Sequence, residues 1–453
     1  MLQTIFFNLA YGVFGIFYLP HFWLKTSRSG ETQHIFFERL GNLPAQTLEK
    51  FKNKKVVWLH AVSVGEVMAV RRFLESFLEK TDDLQFVITT VTPTGQKIAK
   101  TLEGNRVTAC YFPFDFSFSV QSFLRHFKPT CLLLAETEIW PNLLLEAKKA
   151  RVPVGILNAR LSAKSSKRYQ RFKSVFQSLF ESLAFVLAQT EEDAKRFLDL
   201  GVAPEHVHVM GNMKYDNVSL AEPVKEAAEK MKSEWGFHSQ DQIFIAGSTH
   251  PGEEEVLLEI YNQLKPQFSS LKMIIAPRHI DRSDQITQLA RRKGLAAFLS
   301  TDQSRPRDFD VLVLNQLGIL KNLYAIADVV FVGGSLIRRG GQNPIEPASF
   351  KKAILYGPHV FNFKKVYERL HEEAGAMQIQ DAEQLAFALS RLLRNKKECS
   401  DLGENAFLTV KQLQGATDRH LDWVLGFLGS GSNERKQDVD VHTKLFSKAG
   451  GRV

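Results

Sequence analysis

The chain alternates short apolar runs with helical segments, and this alternation limits its fold more than any other feature. In the first half, each apolar run ends in polar or acidic residues. These runs are KKVVWLHAVSVGE (54–66), FVITTVTPTG (86–95), CLLLAETEIW (131–140), VPVGILNARLS (152–162) and AFVLAQTEED (184–193). Apolar strands separated by helices are typical of βαβ units and a parallel sheet.

A second series of the same kind follows. Its runs are QIFIAGSTHPGEEE (242–255), LKMIIAPRH (271–279), VLVLNQLG (311–318), VVFVGGS (329–335) and AILYGPHVFNF (353–363). The join lies around residues 211–223, and a length of 453 residues suits two such domains. We therefore predict an α/β protein with two doubly wound domains. In such proteins, ligands bind at the carboxyl ends of the strands, here in a cleft expected between the domains.

The N-terminus is unusually apolar. Residues 1–24, MLQTIFFNLAYGVFGIFYLPHFWL, contain no Lys, Arg, Asp or Glu, and the first cations are Lys25 and Arg28. The segment is long enough to span a bilayer, and its charge follows the apolar run, unlike a cleavable signal peptide. It predicts an uncleaved anchor with the rest of the chain on the cytoplasmic side. The alternative is a buried N-terminal helix.

The charge balance indicates an anionic partner. Lys plus Arg is 58 and Asp plus Glu is 49, which gives a formal net charge of +9. This excess suits a phosphate-bearing ligand, an anionic membrane or nucleic acid. A hydrophobic content of 44% excludes a wholly disordered chain, and the three cysteines have neither disulfide-frame nor zinc-ligand spacing. The polar segment 428–453 is expected to be a flexible tail.

Acidic residues at two strand ends are candidates for catalysis. Glu66 closes AVSVGE, where it is either a general base or an acid favoured by a helix N-terminus. Glu136 and Glu138 follow an apolar run, and they share one face if the strand continues through them. Carboxylates at the end of a buried strand either act in a functional site or form a structural ion pair, for which Arg160 is the possible partner.

In the second half, candidate phosphate ligands follow the strands. Arg278 lies at a strand end, where it either binds a phosphate or pairs with an acid. VFVGGSLIRRGGQNPIEPA (330–348) contains four glycines that would let a ligand approach the backbone, and a following helix start would offer N–H groups. The alternative is a glycine turn with no ligand. Neither GxGxxG nor GxxxxGK[ST] is present, so a dinucleotide fold and a P-loop are not supported.

The segment 161–183 predicts an amphipathic helix. Lys164, Lys167, Arg168 and Arg171 recur at three- and four-residue steps, and the other face carries Tyr169, Phe172, Phe176 and Leu179. We expect the apolar face in the core and the cations either in solvent or on anionic lipid or acceptor phosphates. Two generic DxD patterns, at 308–310 and 438–440, are not enough to predict a metal site.

Seven motifs in order identify a resemblance to the bacterial 3-deoxy-D-manno-octulosonic acid (Kdo) transferase family. They are SVGE (63–66), TVTPTG (90–95), ETEIWPN (136–142), NARLS (158–162), STHPGEEE (248–255), APRH (276–279) and FVGGSLIRRGGQNPIEPA (331–348). The resemblance runs from about residue 39 to about residue 393 and includes the apolar N-terminus. It implies a GT-B-type fold, in which two Rossmann-like domains face a central cleft behind an N-terminal anchor helix.

The resemblance implies a domain for each substrate. Residues 1–24 would be the anchor and 25–212 the acceptor-binding domain. Residues 213–427 would be the CMP-sugar-binding domain and 428–453 the tail. The family's enzymes move Kdo from CMP-Kdo to a lipid A precursor with inversion. We therefore expect transfer to lipid IVA in lipopolysaccharide core biosynthesis at the inner membrane, facing the cytoplasm, without metal or cofactor. The alternative is another GT-B-type enzyme that uses a different nucleotide sugar.

The resemblance also implies roles for individual residues. Glu66 would be the general base, and Glu136 and Lys214 would stabilise the transition state. The CMP-binding residues would be Pro277, Arg278, Leu317, Gly318, Ile319, Asn343, Pro344, Ile345 and Glu346. Similar enzymes commonly have Glu where Ile319 stands, so a contact there must come from the backbone or be lost. Acids along the expected cleft argue against nucleic acid as the partner and favour CMP-Kdo, the lipid A precursor and an anionic membrane surface.

Overall fold

The computed structural model describes residues 3–13, 32–218, 220, 225–306 and 308–429. The chain forms two compact units. The chain through Asn217, together with the part from Gln414 onward, forms the first unit, and Val218–Leu413 forms the second. Most of the predicted tail and residues 14–24 of the predicted anchor lie outside the described residues.

In the described part of the first unit, the sheet has seven parallel strands in the order β3-β2-β1-β4-β5-β6-β7. They are β1 (Lys55–His60), β2 (Leu84–Thr90), β3 (Val107–Tyr111), β4 (Cys131–Ala135), β5 (Val154–Ala159), β6 (Phe185–Ala188) and β7 (Val207–Val209). Strands β1 to β6 are buried almost along their whole length, as expected for a parallel sheet with helices on both faces. The strand order reverses between β1 and β4.

Helices connect these strands. They are α1 (residues 3–13), α2 (Thr32–Arg39), α3 (Ala45–Glu49), α4 (Val64–Lys80), α5 (Pro93–Lys100), α6 (Ser117–Phe127), α7 (Pro141–Lys149), α8 (Ala163–Arg171), α9 (Lys173–Phe180) and α10 (Glu191–Asp199). The helix predicted over 161–183 is thus two helices that meet at Phe172. Tyr169 and Phe176 pack on the core, as predicted, whereas Phe172 is exposed.

The second unit repeats the architecture. Its described strands are all parallel, in the order β10-β11-β9-β8-β12-β13-β14, and the order reverses between β8 and β12. The strands are β8 (Gln242–Thr249), β9 (Leu271–Pro277), β10 (Ala297–Leu299), β11 (Val311–Val313), β12 (Val329–Val332), β13 (Ala353–Tyr356) and β14 (Ala376–Gln378). Its helices are α11 (Lys225–Glu234), α12 (Glu253–Leu264), α13 (Ser283–Arg292), α14 (Leu320–Leu323), α15 (Ile345–Ser349), α16 (Lys364–Glu372), α17 (Ala382–Arg394) and α18 (Lys396–Leu413). The expectation of two parallel α/β domains is confirmed.

The last described helix, α19 (Ala416–Gly429), returns to the first unit. Its Trp423 ring lies 4.3 Å from that of Phe185 in β6, and the Phe427 ring lies 5.0 Å from Phe185. The predicted second domain ran to residue 427. The structure ends that unit at Leu413, because the apolar face of α19 is buried against the first sheet.

The N-terminal helix α1 packs on the first unit. Phe7 is buried with its ring 6.1 Å from that of Phe176, and the Asn8 amide donates to Ser117 Oγ at 2.8 Å. Large apolar side chains on α1 are nevertheless exposed at Ile5, Phe6, Leu9 and Val13. Within the described ranges we find no helix whose length and apolar character would let it cross a membrane.

Candidate active site

Glu66 and Glu136 lie at the point where the strand order of the first sheet reverses. Strands β1 and β4 are neighbours, with His60 paired to Leu134 near their carboxyl ends. Glu66 lies in the first turn of α4, which follows β1, and Glu136 comes directly after β4. In doubly wound sheets such a reversal point is where ligands bind. The structure therefore brings together two of the predicted catalytic residues.

Glu66 is held by the turn before α4. Its Oε2 accepts a hydrogen bond from the Val62 N–H at 2.8 Å, and its Oε1 accepts one from Ser63 Oγ at 3.0 Å. The carboxylate thus supports the helix start, as the structural alternative expects. Burial nevertheless raises the pKa of Glu66 more than these hydrogen bonds lower it, and Glu136 adds a like charge. A carboxylate with a raised pKa has a stronger affinity for a proton, which suits a general base.

Glu136 leaves the strand. Its φ of 57° lies in the left-handed region, which is uncommon for a residue other than glycine. The strand therefore ends at Ala135, and Glu138 belongs to the loop before α7 rather than to a shared strand face. The Glu136 carboxylate is ion-paired with the Lys214 ammonium, so its partner is the predicted site residue and not Arg160.

Lys214 is positioned by groups that the sequence analysis did not select. Asn158 Oδ1 accepts from the Met213 N–H at 3.0 Å, just before Lys214. The Asp216 carboxylate, just after it, accepts from the N–H groups of Gly415 and Thr417 at 2.7 and 2.5 Å. These contacts tie the Lys214 turn to β5 and to the start of α19. The only signal in the sequence was Asn158 itself, a polar residue inside an apolar strand.

Glu138 completes an acidic cluster. Burial, together with the charges of Glu66 and Glu136, raises the pKa of Glu138 to about 7. Three carboxyl groups near one ammonium cannot all ionise freely, so the cluster holds a proton close to neutral pH. Carboxyl groups that are pushed to different pKa values are typical of acid–base sites.

Buried polar atoms adjoin this cluster. Within the described residues, His60 Nε2, Thr137 Oγ1 and Trp140 Nε1 have no hydrogen-bond partner. The His60 and Trp140 rings lie 6.1 Å apart. Burial lowers the pKa of His60 to about 3, so its imidazole is neutral. Because buried polar groups are normally paired, these atoms are candidate contacts for a polar ligand.

In the second unit, the predicted CMP-binding segments lie at the carboxyl ends of strands. Pro277 ends β9 and Arg278 follows it, while Leu317, Gly318 and Ile319 lie between β11 and α14. The segment 343–346 runs into α15. Arg278 is exposed and forms no ion pair in the part of the chain that the structure describes, so the alternative of a paired arginine is not observed.

Cations surround His250, which follows β8 at the reversal point of the second sheet. Burial lowers the pKa of His250, and the charges of Arg339, His279, Arg278 and Arg282 lower it further. The His250 and His279 rings lie 6.1 Å apart. A concentration of positive charge at this edge suits a phosphate.

Several amides of the glycine segment after β12 are already bound within the protein. The buried carboxylate of Glu253 accepts from the N–H groups of Gly334, Ser335 and Leu336 at 2.7, 3.1 and 3.1 Å. The helix α15 has only five residues, and Asn343 Oδ1 already accepts from the Ile345 N–H at 3.0 Å. The protein's own side chains thus occupy these four N–H groups, and phosphate binding by the rest of the segment stays a prediction.

The other two predicted CMP-binding segments lie in a common electrostatic environment. Burial raises the pKa of Glu346, while a hydrogen bond from the Asn343 amide at 3.2 Å and the charge of Lys321 in α14 lower it. Gly318, with a φ of 84°, and Leu317, which is 75% exposed, form the loop before α14. Ile319 directly precedes this helix, and its carbonyl accepts from the Asn322 N–H at 3.2 Å.

The first DxD pattern is paired with lysines. Asp308 contacts Lys272 Nζ at 3.1 Å, and Asp310 contacts Lys265 Nζ at 2.5 Å. A search of the described residues finds no group of three or more His, Cys, Asp or Glu side chains able to hold a metal. The second pattern, at 438–440, lies outside those residues.

The chain is similar to known proteins over most of its length. The family model described as 3-deoxy-D-manno-octulosonic-acid transferase matches residues 34–217. A 3-deoxy-D-manno-octulosonic acid transferase from Haemophilus influenzae is 32% identical over 375 residues, 82% of this chain and 87% of the relative. One from Chlamydia trachomatis serovar A is 29% identical over 345 residues, 76% of this chain and 79% of the relative.

Solved structures share the fold at low identity. The UDP-GlcNAc 2-epimerase from Neisseria meningitidis has a TM-score of 0.56 at 14% identity, over 82% of this chain and 100% of its own. A glycosyltransferase from Rickettsia africae has a TM-score of 0.55 at 15% identity, over 84% of this chain and 100% of its own. Two parallel α/β units of this kind form the GT-B-type fold, which glycosyltransferases share with other proteins.

Among proteins with this fold, the similarity to curated relatives over most of both chains decides the family. The chain belongs to the 3-deoxy-D-manno-octulosonic acid transferase family and is a glycosyltransferase.

Proposed function

We propose that this enzyme transfers Kdo from CMP-Kdo to the lipid A precursor lipid IVA, with inversion, and that Glu66 is the general base. The observation that carries the proposal is the grouping of Glu66, Glu136 and Lys214 at the reversal point of the first sheet. It occurs in a chain whose curated relatives carry the transferase name.

The proposed reaction is a single displacement. Glu66 takes the proton of an acceptor hydroxyl, and the hydroxyl oxygen forms a bond with the anomeric carbon of Kdo. The bond between that carbon and the CMP phosphate oxygen breaks, and its electron pair leaves with CMP. General-base assistance of this kind contributes about 10²- to 10⁴-fold.

Glu136 and Lys214 act on the charge that develops during transfer. Glycosyl transfer passes through an oxocarbenium-like state, which a nearby carboxylate stabilises electrostatically. The ion pair with Lys214 places a positive charge beside Glu136, where two other carboxyl groups lie near. The left-handed backbone of Glu136 fixes the direction in which the carboxylate leaves the sheet.

The donor is held in the second unit. Arg278, together with the cations around His250, binds the single phosphate of CMP, and the loops at 317–319 and 343–346 contact the rest of the nucleotide. Guanidinium groups bind phosphate by charge-assisted hydrogen bonds, so the leaving group needs no metal ion in this account. Ile319 can contribute only through its backbone.

The first unit carries a surface suited to a membrane. The exposed apolar side chains of α1 lie on a helix that packs beside α9, and Phe172, between α8 and α9, is also exposed. The cations of α8 belong to the same helix pair. Apolar side chains beside cations bind the surface of anionic bilayers. We place the enzyme on the cytoplasmic face of the inner membrane, held through its N-terminal segment.

A defined transfer assay tests the proposed function. The purified full chain is incubated with CMP-Kdo and tetraacylated lipid A precursor. The mass of the lipid is measured by mass spectrometry, and the release of CMP is followed in parallel. A UDP-sugar serves as the matched donor control. The expected result is a heavier lipid with CMP-Kdo only. Product with the UDP-sugar and none with CMP-Kdo would support the other class of nucleotide-sugar enzyme.

A further inference from the structure

A cavity lies at the amino-terminal edge of the second sheet. It has a volume of about 280 Å³ and is lined by residues that include Asp328, Lys351, Lys352, Leu393, Lys396 and Cys399. Asp328 precedes β12 and Lys352 precedes β13. Because the sheet is parallel, this edge is opposite to the one that carries Arg278 and the other donor segments. The cavity is therefore separate from the candidate donor site.

The charges that line the cavity are mostly positive. Lys351 is ion-paired with Glu404 at 2.9 Å, and the Asp328 carboxylate accepts from the Ile243 N–H at 2.7 Å. The Lys352 ammonium has neither a hydrogen bond nor an ion pair with any residue that the structure describes. Lys396, in the first turn of α18, adds a third cation. Lys352 is partly buried, and its unpaired ammonium is available to a ligand that enters the cavity.

The surroundings of Lys352 leave its charge partly uncompensated. Burial is the main cause that lowers the pKa of Lys352 to about 8; Asp328 and Cys399 act against this shift, and the charge of Lys232 adds to it. Cys399 is a neutral thiol near neutral pH, because burial raises its own pKa to about 11. An anion in the cavity would stabilise the protonated ammonium directly.

We propose that this cavity binds a small phosphate dianion, through Lys352 with help from Lys351 and Lys396. The volume is at the lower end of ligand sites, which favours a small ligand over a nucleotide. The positive end of α18, whose first turn lines the cavity, adds to the attraction. Inorganic phosphate and the phosphoryl group of a soluble metabolite share this chemistry.

Residue-specific labelling tests the site in the full chain. Lysines are acetylated briefly with acetic anhydride at pH 8, in phosphate or in chloride of equal ionic strength, and quantified by peptide mass spectrometry. A bound dianion raises the pKa of an adjacent ammonium by about one unit or more, so we expect phosphate to slow the labelling of Lys352 at least about fivefold at pH 8. Lys411, an exposed residue of α18, serves as the internal control. Equal labelling of Lys352 in the two salts would overturn the proposal.

Variants give a second readout that does not depend on labelling. Phosphate affinity is measured by calorimetry for Lys352→Gln, Lys396→Gln and the control Lys411→Gln. Lys396 is exposed, so its replacement keeps the fold even if Lys352→Gln does not. We expect Lys396→Gln to weaken binding several-fold and Lys411→Gln to leave it unchanged, and equal affinity in these two variants would contradict the site. Repeating the titration with glycerol 3-phosphate distinguishes inorganic phosphate from a phosphorylated metabolite. Tighter binding of glycerol 3-phosphate would indicate a metabolite, and tighter binding of phosphate would indicate the inorganic ion.

Discussion

The carboxylate of Glu136 is ion-paired with the ammonium of Lys214, although the two residues come from distant parts of the chain. Glu136 follows a central strand, whereas Lys214 lies in a short turn that Asn158 and Asp216 hold in place. The pair therefore depends on how the first unit folds, and its geometry is fixed before substrate binds. This fixed charge arrangement is what the proposed chemistry requires.

Replacing Lys214 by Met should lower kcat by about 10²- to 10³-fold, since the loss of one positioned charge in an active site typically has this effect. Transfer of Kdo to lipid is measured under saturating donor. Lys195→Met is the matched control, because Lys195 is an exposed lysine of the same unit that pairs with Asp199 at 3.4 Å. A Lys214 variant as active as the Lys195 variant would remove Lys214 from the mechanism.

The sequence predicted the strand ends that carry Glu66 and Glu136, because apolar runs and the polar residues after them are local features. It could not predict that β1 and β4 are neighbours, nor that α19 returns to the first unit to hold the Lys214 turn. Both depend on tertiary packing. The resemblance to a family supplied Lys214, for which the local sequence gives no chemical signal.

Glu138 should make the stability of the first unit fall as the pH rises. Its folded-state pKa of about 7 is above the ordinary value for Glu, so the folded state binds more protons than the unfolded state between these two values. The wild type then loses stability as the pH rises from about 5 to about 8. Glu138→Gln should remove this loss and be more stable than the wild type at pH 8, by about 1–3 kcal/mol.

Urea denaturation at pH 5 and pH 8 measures this effect. Glu191→Gln, an exposed change in the same unit, is the control: it keeps Glu138 and should therefore lose stability between pH 5 and pH 8 as the wild type does. The same stability difference between Glu138→Gln and the wild type at both pH values would show that Glu138 does not hold a proton in the acidic cluster.

Arg278→Ala should weaken CMP binding by about 10- to 100-fold, because a charge-assisted hydrogen bond to phosphate contributes about 1.5–3 kcal/mol. Calorimetric titration with CMP gives the affinity directly. The comparison is Arg292→Ala, an exposed arginine of α13. If cytidine, which lacks the phosphate, loses as much affinity as CMP, Arg278 does not bind the phosphate.

On the donor side, the sequence predicted the position of the Arg278 side chain but not the contacts of the glycine segment. Arg278 was chosen for its chemistry at a strand end, and it is exposed at the expected edge. The glycine segment was predicted to offer amides to phosphate, but Glu253 accepts three of them. That contact joins β8 and β12 through loops distant in sequence, so the glycine pattern alone could not reveal it.

The exposed face of α1 should carry membrane binding. Phe6 and Leu9 are 56% and 66% exposed, and Leu198 on α10 is 39% exposed. Replacing both Phe6 and Leu9 by Glu should reduce sedimentation with anionic phosphatidylglycerol vesicles by at least about tenfold, since burial of each side chain contributes about 1.5–3 kcal/mol. Leu198→Glu should have little effect. Undiminished sedimentation of the double variant would exclude α1 as the contact.

Glu66→Gln tests the central claim most directly. The Gln carbonyl oxygen can still accept the hydrogen bond that Val62 N–H donates to Glu66 at 2.8 Å, but the amide cannot take a proton from the acceptor. Glu75→Gln, on the exposed side of the same helix, is the matched control. Transfer of Kdo to lipid IVA should fall by about 10²- to 10⁴-fold in Glu66→Gln, with CMP affinity unchanged. Transfer at the wild-type rate in Glu66→Gln would contradict the assignment of Glu66 as the base.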